Sequence, residues 1–144
     1  MSVIAITRGD GNYSWCLCQP GVDPEAEVVR ISKDIPSGYV AHAVMPAGSL
    51  PARWTFVEAW EPVGITVATN ILKAKDLCHR VRRAKRDEEL APLDKLIASQ
   101  IPGTNPAQVE QQRQVIRDKY AVVQTQIDSA PDVDALYAIL DTLK

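Results

Sequence analysis

The segment IPGTNPAQ, residues 101–108, separates two long stretches of helical periodicity and decides how they pack. Pro102 and Gly103 are helix stop signals. Asn105 is a preferred N-cap residue, Pro106 stands at the first helical position, and Gln108 stands where a capping box places glutamine. The sequence therefore predicts that one helix ends here and another begins, and that the two form an antiparallel hairpin.

The stretch before this segment predicts a helix with one apolar side. Asn70 is a suitable N-cap residue, and apolar residues then recur every three to four positions, which is the spacing of one helix face. The first part of this stripe comprises Ile71, Ala74, Leu77, Cys78, Val81 and Ala84, and its continuation comprises Leu90, Leu93, Leu96 and Ile97. Pro92 lies within the stripe, so we expect it to kink or break the helix.

The stretch after the segment predicts the second helix of the hairpin. Its apolar residues are spaced by seven, four, three and four positions, which is the seam of a helix that packs along another helix. They are Val109, Ile116, Tyr120, Val123 and Ile127. A last short helix is predicted to begin at Pro131 and to fold back over the open end of the hairpin. It would pack through Val133, Leu136, Tyr137, Leu140 and Leu143.

The amino-terminal part of the chain favours β-structure. Residues 3–7 and 13–18 are rich in β-forming residues and flank the turn signal GDGN at 9–12, so they predict a β-hairpin. Residues 28–32 and 39–44 predict two further strands of a small antiparallel sheet. In the later strand, the alternating side chains of Val40, His42 and Val44 would lie on one face of the sheet.

These patterns predict an α+β fold with two parts. Residues 1–64 would form a small N-terminal antiparallel β-domain with an aromatic connector. Residues 65–144 would form a C-terminal antiparallel helical hairpin with a short third helix.

The connector, residues 45–64, combines three prolines with two of the three tryptophans and the only phenylalanine of the chain. These rings belong to Trp54, Phe56 and Trp60. Aromatic side chains of this size often pack where two elements meet, so we expect them to hold the β-domain to the helices. An exposed platform on which a ligand stacks is the alternative. We also assign these three residues to partner binding.

The net charge of −2 conceals a strongly basic segment. Residues 73–86 carry seven Lys or Arg and one acidic residue, whereas residues 87–144 carry five basic and ten acidic residues. The acidic stretch therefore offers partners for the basic charge within the chain. Because the two helices are antiparallel, we expect pairing across them, and such pairs would fix the register of the hairpin. The expected pairs join Arg82 or Arg86 to Asp118 or Glu110, with Arg117 beside Asp118.

The basic segment allows two functional interpretations. A phosphate-binding surface usually comes with net positive charge on its domain, but residues 70–144 carry twelve basic and eleven acidic groups, a total of only +1. We therefore expect part of the basic segment to dock on another protein, through Arg80, Arg83 and Arg86. A nucleic-acid-binding regulator that uses residues 73–86 remains the alternative.

The sequence lacks recognisable signatures of catalysis, cofactor binding or metal binding. It has two histidines, no glycine-flanked serine and no glycine-rich phosphate loop. Cys16, Cys18 and Cys78 with His79 do not have the spacing of a structural zinc site, and three cysteines do not favour a closed disulfide framework. We expect a non-enzymatic protein without cofactor or metal. No apolar run predicts a signal peptide or a spanning helix, so we expect no membrane partner.

Four segments resemble small proteins from the morphogenesis regions of tailed bacteriophages. They are WTFVEAW (54–60), ILKAKDLCHR (71–80), QRQVIRD (112–118) and APDVDAL (130–136), and the resemblance covers roughly residues 35–140. The helical half is similar to the C-terminal region of phage tail-fibre assembly chaperones.

This resemblance implies a bacteriophage tail structural protein at the tail tip or at the fibre attachment. Such a protein would act in the virion, and in the host cytoplasm during assembly, through contacts with other tail proteins and possibly the tail fibre in a multi-copy assembly. A tail-fibre assembly chaperone, which would hold a fibre until it is mounted, is the alternative from the same family.

Overall fold

The amino-terminal part of the structure begins with a three-stranded antiparallel sheet. The computed structural model describes residues 2–144, except for the side chain of Ala43. The chain divides into two units, of which the first ends at Ala74 and the second spans Lys75–Lys144. Strands β1 (Ser2–Thr7) and β2 (Tyr13–Leu17) form the predicted hairpin, and β3 (Val40–Pro46) pairs with the other side of β1. In the hairpin turn, Gly11 has a φ of 77°, a conformation that glycine adopts at little cost.

The segment predicted as a strand at residues 28–32 forms a helix instead. Helix α1 (Pro24–Asp34) begins at Asp23, whose side chain accepts a hydrogen bond from the Glu25 amide at 3.2 Å. Val28 and Ile31 share one helix face and pack with Ile4 of the sheet. The strand prediction was wrong because an Asp-Pro helix start and packing on the sheet outweigh the β-propensity of these side chains.

Strand β3 confirms the predicted strand at residues 39–44 but not its alternation. The register pairs His42 with Ala5 and then Val44 with Ile4, so one residue of β3 is skipped. Ala5 and Ile4 are adjacent in β1 and therefore point to opposite faces. The bulge thus places Val44 on the face opposite to His42, which corrects the prediction that Val40, His42 and Val44 share one face.

The connector contains more regular structure than its prolines predict. A 3₁₀ helix, Ala47–Ser49, and a 3₁₀ segment, Trp54–Ala59, that is kinked at Phe56 precede a hairpin formed by β4 (Trp60–Val63) and β5 (Thr66–Thr69). Gly64, with a φ of 61°, opens the two-residue turn between these strands. The predicted domain boundary after residue 64 falls inside this hairpin, whereas the first unit continues to Ala74.

The core of the first unit lies on both faces of the three-stranded sheet. One face packs against side chains from the β4–β5 hairpin, in a cluster formed by Val3, Ala5, Met45, Trp60 and Val67. On the other face, Ile31 of α1 packs with Ile4 and Cys18. Burial of each large apolar side chain stabilises the fold by about 1.5–3 kcal/mol.

Helix α2 (Ile71–Ala98) begins at its predicted N-cap and continues through Pro92. The Asn70 Oδ1 atom accepts hydrogen bonds from the amides of Leu72 at 3.0 Å and Lys73 at 3.2 Å. Since the helix ends only at Ala98, Pro92 does not break it. An internal proline still costs the helix one backbone hydrogen bond.

Helix α3 (Pro106–Ser129) also begins where the sequence predicts. The Asn105 Oδ1 atom accepts hydrogen bonds from the amides of Ala107 at 3.1 Å and Gln108 at 3.4 Å. The predicted seam is buried at most of its positions, which are Val109, Tyr120, Val123 and Ile127. Ile116 is half-buried.

A short helix α4 (Val133–Asp141) packs against α3, as predicted for the C-terminal segment. Asp132 caps it by accepting a hydrogen bond from the Ala135 amide at 2.8 Å. Its apolar side buries Leu136 and Leu140, and Leu143, which follows the helix, is buried as well. The structure thus confirms an α+β fold of N-terminal antiparallel strands followed by helices. Within residues 2–144, no helix has both the length and the apolar character that crossing a membrane requires.

Candidate interaction surfaces

The three aromatic residues assigned to partner binding lie in different environments. Phe56 and Trp60 are 0% and 1% exposed, and Trp60 belongs to the core of the first unit. Trp54 is 54% exposed, and its ring lies against that of Trp60 with 4.9 Å between the ring centroids. Phe56 and Trp60 are therefore corrected to buried residues, because a partner cannot reach their side chains while they are buried. Trp54 alone of the three is accessible.

At least five of the seven basic side chains of residues 73–86 form hydrogen bonds or ion pairs with other groups of the chain. In the first unit, Lys73 pairs with Glu61 at 2.7 Å, and the hydrogen bonds from Lys73 and Asn70 lower the pKa of Glu61. The others bond to groups of the second unit. These bonds join Lys75 to the Asp128 carbonyl, Arg82 to Gln124, Lys85 to Glu88, and Arg86 to Asp87. Little of the basic charge is therefore directed outward.

The basic residues assigned to partner docking are only partly accessible. Arg80 and Arg83 are exposed and lie three residues apart, so they share one side of α2. Arg86 is half-buried and places two donors on the Asp87 carboxylate, at 3.0 and 3.1 Å. The exposed part of this surface is thus centred on Arg80 and Arg83.

Arg82 is 7% exposed, and within residues 2–144 its guanidinium donates only to neutral oxygens. Its Nη1 atom donates to the Gln124 side chain at 2.8 Å and to the Tyr120 carbonyl at 3.3 Å, while its buried Nε finds no acceptor within residues 2–144. Burial, and then the nearby charges of Arg86 and Arg83, lower the pKa of Arg82. Arg82 does join the two helices, but through an amide and a carbonyl instead of the expected carboxylate.

The expected partners of Arg82 and Arg86 on α3 bond within their own helix. Asp118 accepts a hydrogen bond from Gln114 at 2.8 Å, and Arg117 pairs with Glu110 at 2.6 Å. The predicted pairing through Arg82, Arg117 and Asp118 is therefore corrected, because Arg117 and Asp118 bind partners within α3. The sequence does not specify how each helix is rotated about its own axis, so it does not determine which charged side chains face the other helix.

Other charged groups join α2 to α3. Glu89 accepts hydrogen bonds from Lys119 and from the Tyr120 hydroxyl, both at 2.7 Å, and these bonds lower the pKa of Glu89. Burial, followed by the bond to Glu89, raises the pKa of Tyr120 to about 12. The further pairs join Arg113 to Asp94 at 2.8 Å and His79 to Asp128 at 2.9 Å. Their order along the two helices confirms the antiparallel arrangement.

An open apolar groove lies between the helices toward the 101–108 connection. It has a volume of about 420 Å³ and is lined by Glu89, Pro92, Leu93, Gln112, Val115 and Ile116. A second depression of about 400 Å³ is lined by Leu96, Ile97, Gln100, Ile101, Thr104 and Pro106. Leu93 precedes Leu96 and Ile97 by three and four positions, so the two depressions are neighbours along α2. The apolar periodicity predicted Leu93, Leu96, Ile97 and Ile116 as part of the apolar stripe and seam, but it did not identify Val115 or Ile101.

The nucleophilic and metal-ligating side chains do not gather at one place. Cys16, Cys18 and Cys78 are free thiols, and burial raises the pKa of Cys78 to about 11. His42 is hydrogen-bonded to Thr7 in the sheet. Among the described residues, no three His, Cys, Asp or Glu side chains are grouped as metal ligands would be.

No family model, no curated protein and no solved structure matches the chain significantly.

Proposed function

We propose that the protein is a non-enzymatic structural component of a bacteriophage tail, at the tail tip or the fibre attachment, and that it acts through protein-protein contacts. The tail assignment rests on the resemblance carried by residues 54–60, 71–80, 112–118 and 130–136. The contact role rests on the surface of the folded chain, above all on Trp54.

The observation that carries the contact role is the exposure of Trp54. A tryptophan that leaves 54% of its surface in water offers a partner a large apolar ring with a polar N–H at its edge. Its ring is held against Trp60, which is itself fixed in the core, so little side-chain freedom remains to be lost on binding. Rigid tryptophans of this kind are frequent hot spots of protein interfaces.

A second contact region is supported by Arg80 and Arg83 on α2. Both are exposed, and arginine is enriched in protein interfaces because its guanidinium can bind a carboxylate with two parallel hydrogen bonds. The two arginines lie three residues apart on one side of α2, so they form a compact basic patch and not a long phosphate-binding track. Such a patch suits an acidic protein surface better than a duplex.

The tail assignment is tested by quantitative mass spectrometry of purified particles of the phage that encodes this chain. A fixed copy number relative to the tail-tube protein is the expected result. Absence from the particles, together with co-purification with unassembled tail fibre from infected cells, would instead establish the chaperone. Absence from both fractions would refute the assignment to the tail.

The contact role of Trp54 is tested by complementing a deletion phage with variants. Trp54→Ala should lower the copy number of the chain in particles, whereas Trp54→Phe should retain most of it because a ring remains. Leu72→Ala is a matched control, since Leu72 is 70% exposed in the same unit. If Trp54→Ala and Leu72→Ala are incorporated as the unsubstituted chain is, Trp54 does not bind the tail.

A further inference from the structure

Strand β2 is an edge of the three-stranded sheet. The strand order is β2–β1–β3, and within residues 2–144 no strand pairs with the outer side of β2. Its five residues, Tyr13–Leu17, are close to the usual length of a strand, so this edge is not a shortened one. Leu17 is 47% exposed, and the other four residues are half-buried. One side of the β2 backbone therefore has no strand beside it.

The hydrogen-bond phase of the β1–β2 hairpin determines which backbone groups this edge offers. At one end, the Cys18 amide donates to the Ser2 carbonyl at 2.9 Å. At the other end, the Arg8 amide donates to the Asn12 carbonyl at 2.8 Å, so the even-numbered residues of the two strands are bonded to each other. In an antiparallel ladder, the backbone groups of successive residues point to opposite sides. The N–H and C=O groups that point away from β1 therefore belong to Tyr13, Trp15 and Leu17.

The opposite edge of the sheet is protected against further pairing, whereas β2 is not. Proteins commonly block an edge strand with a bulge, a proline or a charged side chain. Strand β3 carries a bulge between His42 and Val44 and ends at Pro46, which has no amide hydrogen to donate. Strand β2 has the sequence YSWCL, without proline, glycine or charge, and it pairs with β1 in one continuous register. This difference leaves β2 as the edge that is open to pairing.

The size of this edge favours a single extended segment as its occupant. At about 3.4 Å per residue, five residues extend over about 17 Å, and one added strand covers a band about 5 Å wide. This contact is far smaller than the roughly 800 Å² that each partner buries in a stable complex of folded proteins, so it does not by itself hold a second copy of the chain. A peptide that adds a strand gains its affinity from main-chain hydrogen bonds and requires less area.

The side chains of β2 indicate which kind of segment fits beside it. Tyr13 and Trp15 lie on the face of the sheet that packs against Trp60, and Leu17 lies on the same face by alternation. Apolar side chains of an added strand would contact these residues across the strands. The other face of β2 carries Ser14 and Cys16 and suits small or polar side chains.

We propose that β2 binds an extended segment of a partner protein, which joins the sheet as a fourth strand and places apolar side chains at alternate positions. This contact is distinct from the one assigned to Trp54, because it is formed by backbone groups. It is also independent of the assignment to a phage tail.

Selection of random peptides of about ten residues, long enough to span this edge, on the full chain tests the proposal. Selected peptides should carry apolar residues at alternate positions and bind with a dissociation constant of about 10–100 µM. Leu17→Pro should raise this constant at least about tenfold, because proline has no outward amide hydrogen. Leu17→Ala keeps that amide and is the matched control, which should raise the constant less than about threefold. The Leu17 amide points away from β1, so both variants should fold, and circular dichroism checks this.

N-methylated forms of the selected peptides test the same contact without any change to the protein. Methylation removes one amide hydrogen at a time, and in an added strand only every second amide faces β2. Binding should therefore weaken at every second peptide position and change little at the others.

The proposal is overturned if no peptide is selected, or if binding is insensitive to the position of the methyl group. Binding that Leu17→Pro, correctly folded, leaves unchanged would place the peptide elsewhere on the chain. Sedimentation velocity of the free chain covers the remaining occupant, since dimerisation that Leu17→Pro abolishes would assign the edge to a second copy. None of these outcomes bears on whether the chain is present in phage particles.

Discussion

At the scale of single residues, Arg82 combines burial with neutral partners. A buried cationic side chain is usually paired with a carboxylate, because this pairing offsets a desolvation cost of several kcal/mol. Arg82 instead donates to an amide and a carbonyl, and Arg83 and Arg86 add like charge beside it. The packing of its long apolar stem, more than its charge, is thus expected to stabilise the hairpin.

Replacing Arg82 with methionine separates these two contributions. Methionine keeps an unbranched apolar stem and removes the charge, so Arg82→Met should leave the free energy of unfolding unchanged or raise it by about 1–2 kcal/mol. Arg82→Ala removes the stem as well and should lower it by about 2 kcal/mol or more. Urea denaturation measures both. A loss of more than about 2 kcal/mol in Arg82→Met would show that the charge itself stabilises the hairpin.

Glu89 makes the stability of the hairpin depend on pH. Hydrogen bonds from Lys119 and then Tyr120 hold the pKa of Glu89 below the value it has in the unfolded chain. Its stabilising contribution is therefore complete above the unfolded pKa, about 4.3, and is lost as the pH falls through the folded pKa. Because this pair is partly exposed, Glu89→Gln should cost only about 0.5–1 kcal/mol at pH 7.

The same substitution should cost less at about pH 3, where Glu89 is largely protonated in the unfolded chain and increasingly so in the folded chain. Urea denaturation at both pH values measures the difference. Glu88→Gln is the control, because the Glu88 side chain is 70% exposed and pairs with Lys85 one turn away on the same helix. An equal cost of Glu89→Gln at both pH values would contradict the proposed role of its ionisation.

At the scale of elements, side-chain caps set where the helices of the hairpin begin. Asn70 and Asn105 each accept two backbone hydrogen bonds, and both caps were predicted from the sequence. Asn105→Ala should lower the free energy of unfolding by about 1 kcal/mol, because the first amides of α3 lose their acceptor. Asn105→Asp keeps an acceptor and should restore most of this loss. Equal stability of both variants would show that the cap contributes little.

The elements also show why some of the fold was predictable and some was not. Caps and stop signals are local, so residues 101–108 predicted the hairpin correctly. The β-bulge at β3 depends on pairing with β1, and the burial of Trp60 depends on the β4–β5 hairpin, so neither follows from local pattern. Likewise, the groove at Leu93 and Val115 depends on how much of the hairpin α4 covers, which periodicity alone does not specify.

At the scale of the whole molecule, the distribution of charge argues against a duplex-binding function. The chain carries a net charge of −2, and the basic segment at residues 73–86 is largely engaged with Glu61, Asp128, Glu88 and other groups of the chain. A basic side chain releases counterions from DNA only when it contacts a phosphate, so a side chain held in an internal ion pair would first have to leave that pair. The exposed patch formed by Arg80 and Arg83 is small and offers few phosphate contacts.

Binding to a labelled DNA duplex should therefore be weaker than about 100 µM at roughly 0.15 M salt, the weak limit of non-specific binding. Fluorescence anisotropy at this salt and at about 0.05 M measures it, and only a small increase is expected at the lower concentration, because few phosphates can be contacted. Arg83→Glu identifies any residual binding through the patch. Tight binding with a steep salt dependence that Arg83→Glu abolishes would require the internal ion pairs of α2 to open on DNA. This result would contradict the protein-contact role and favour a nucleic-acid-binding regulator.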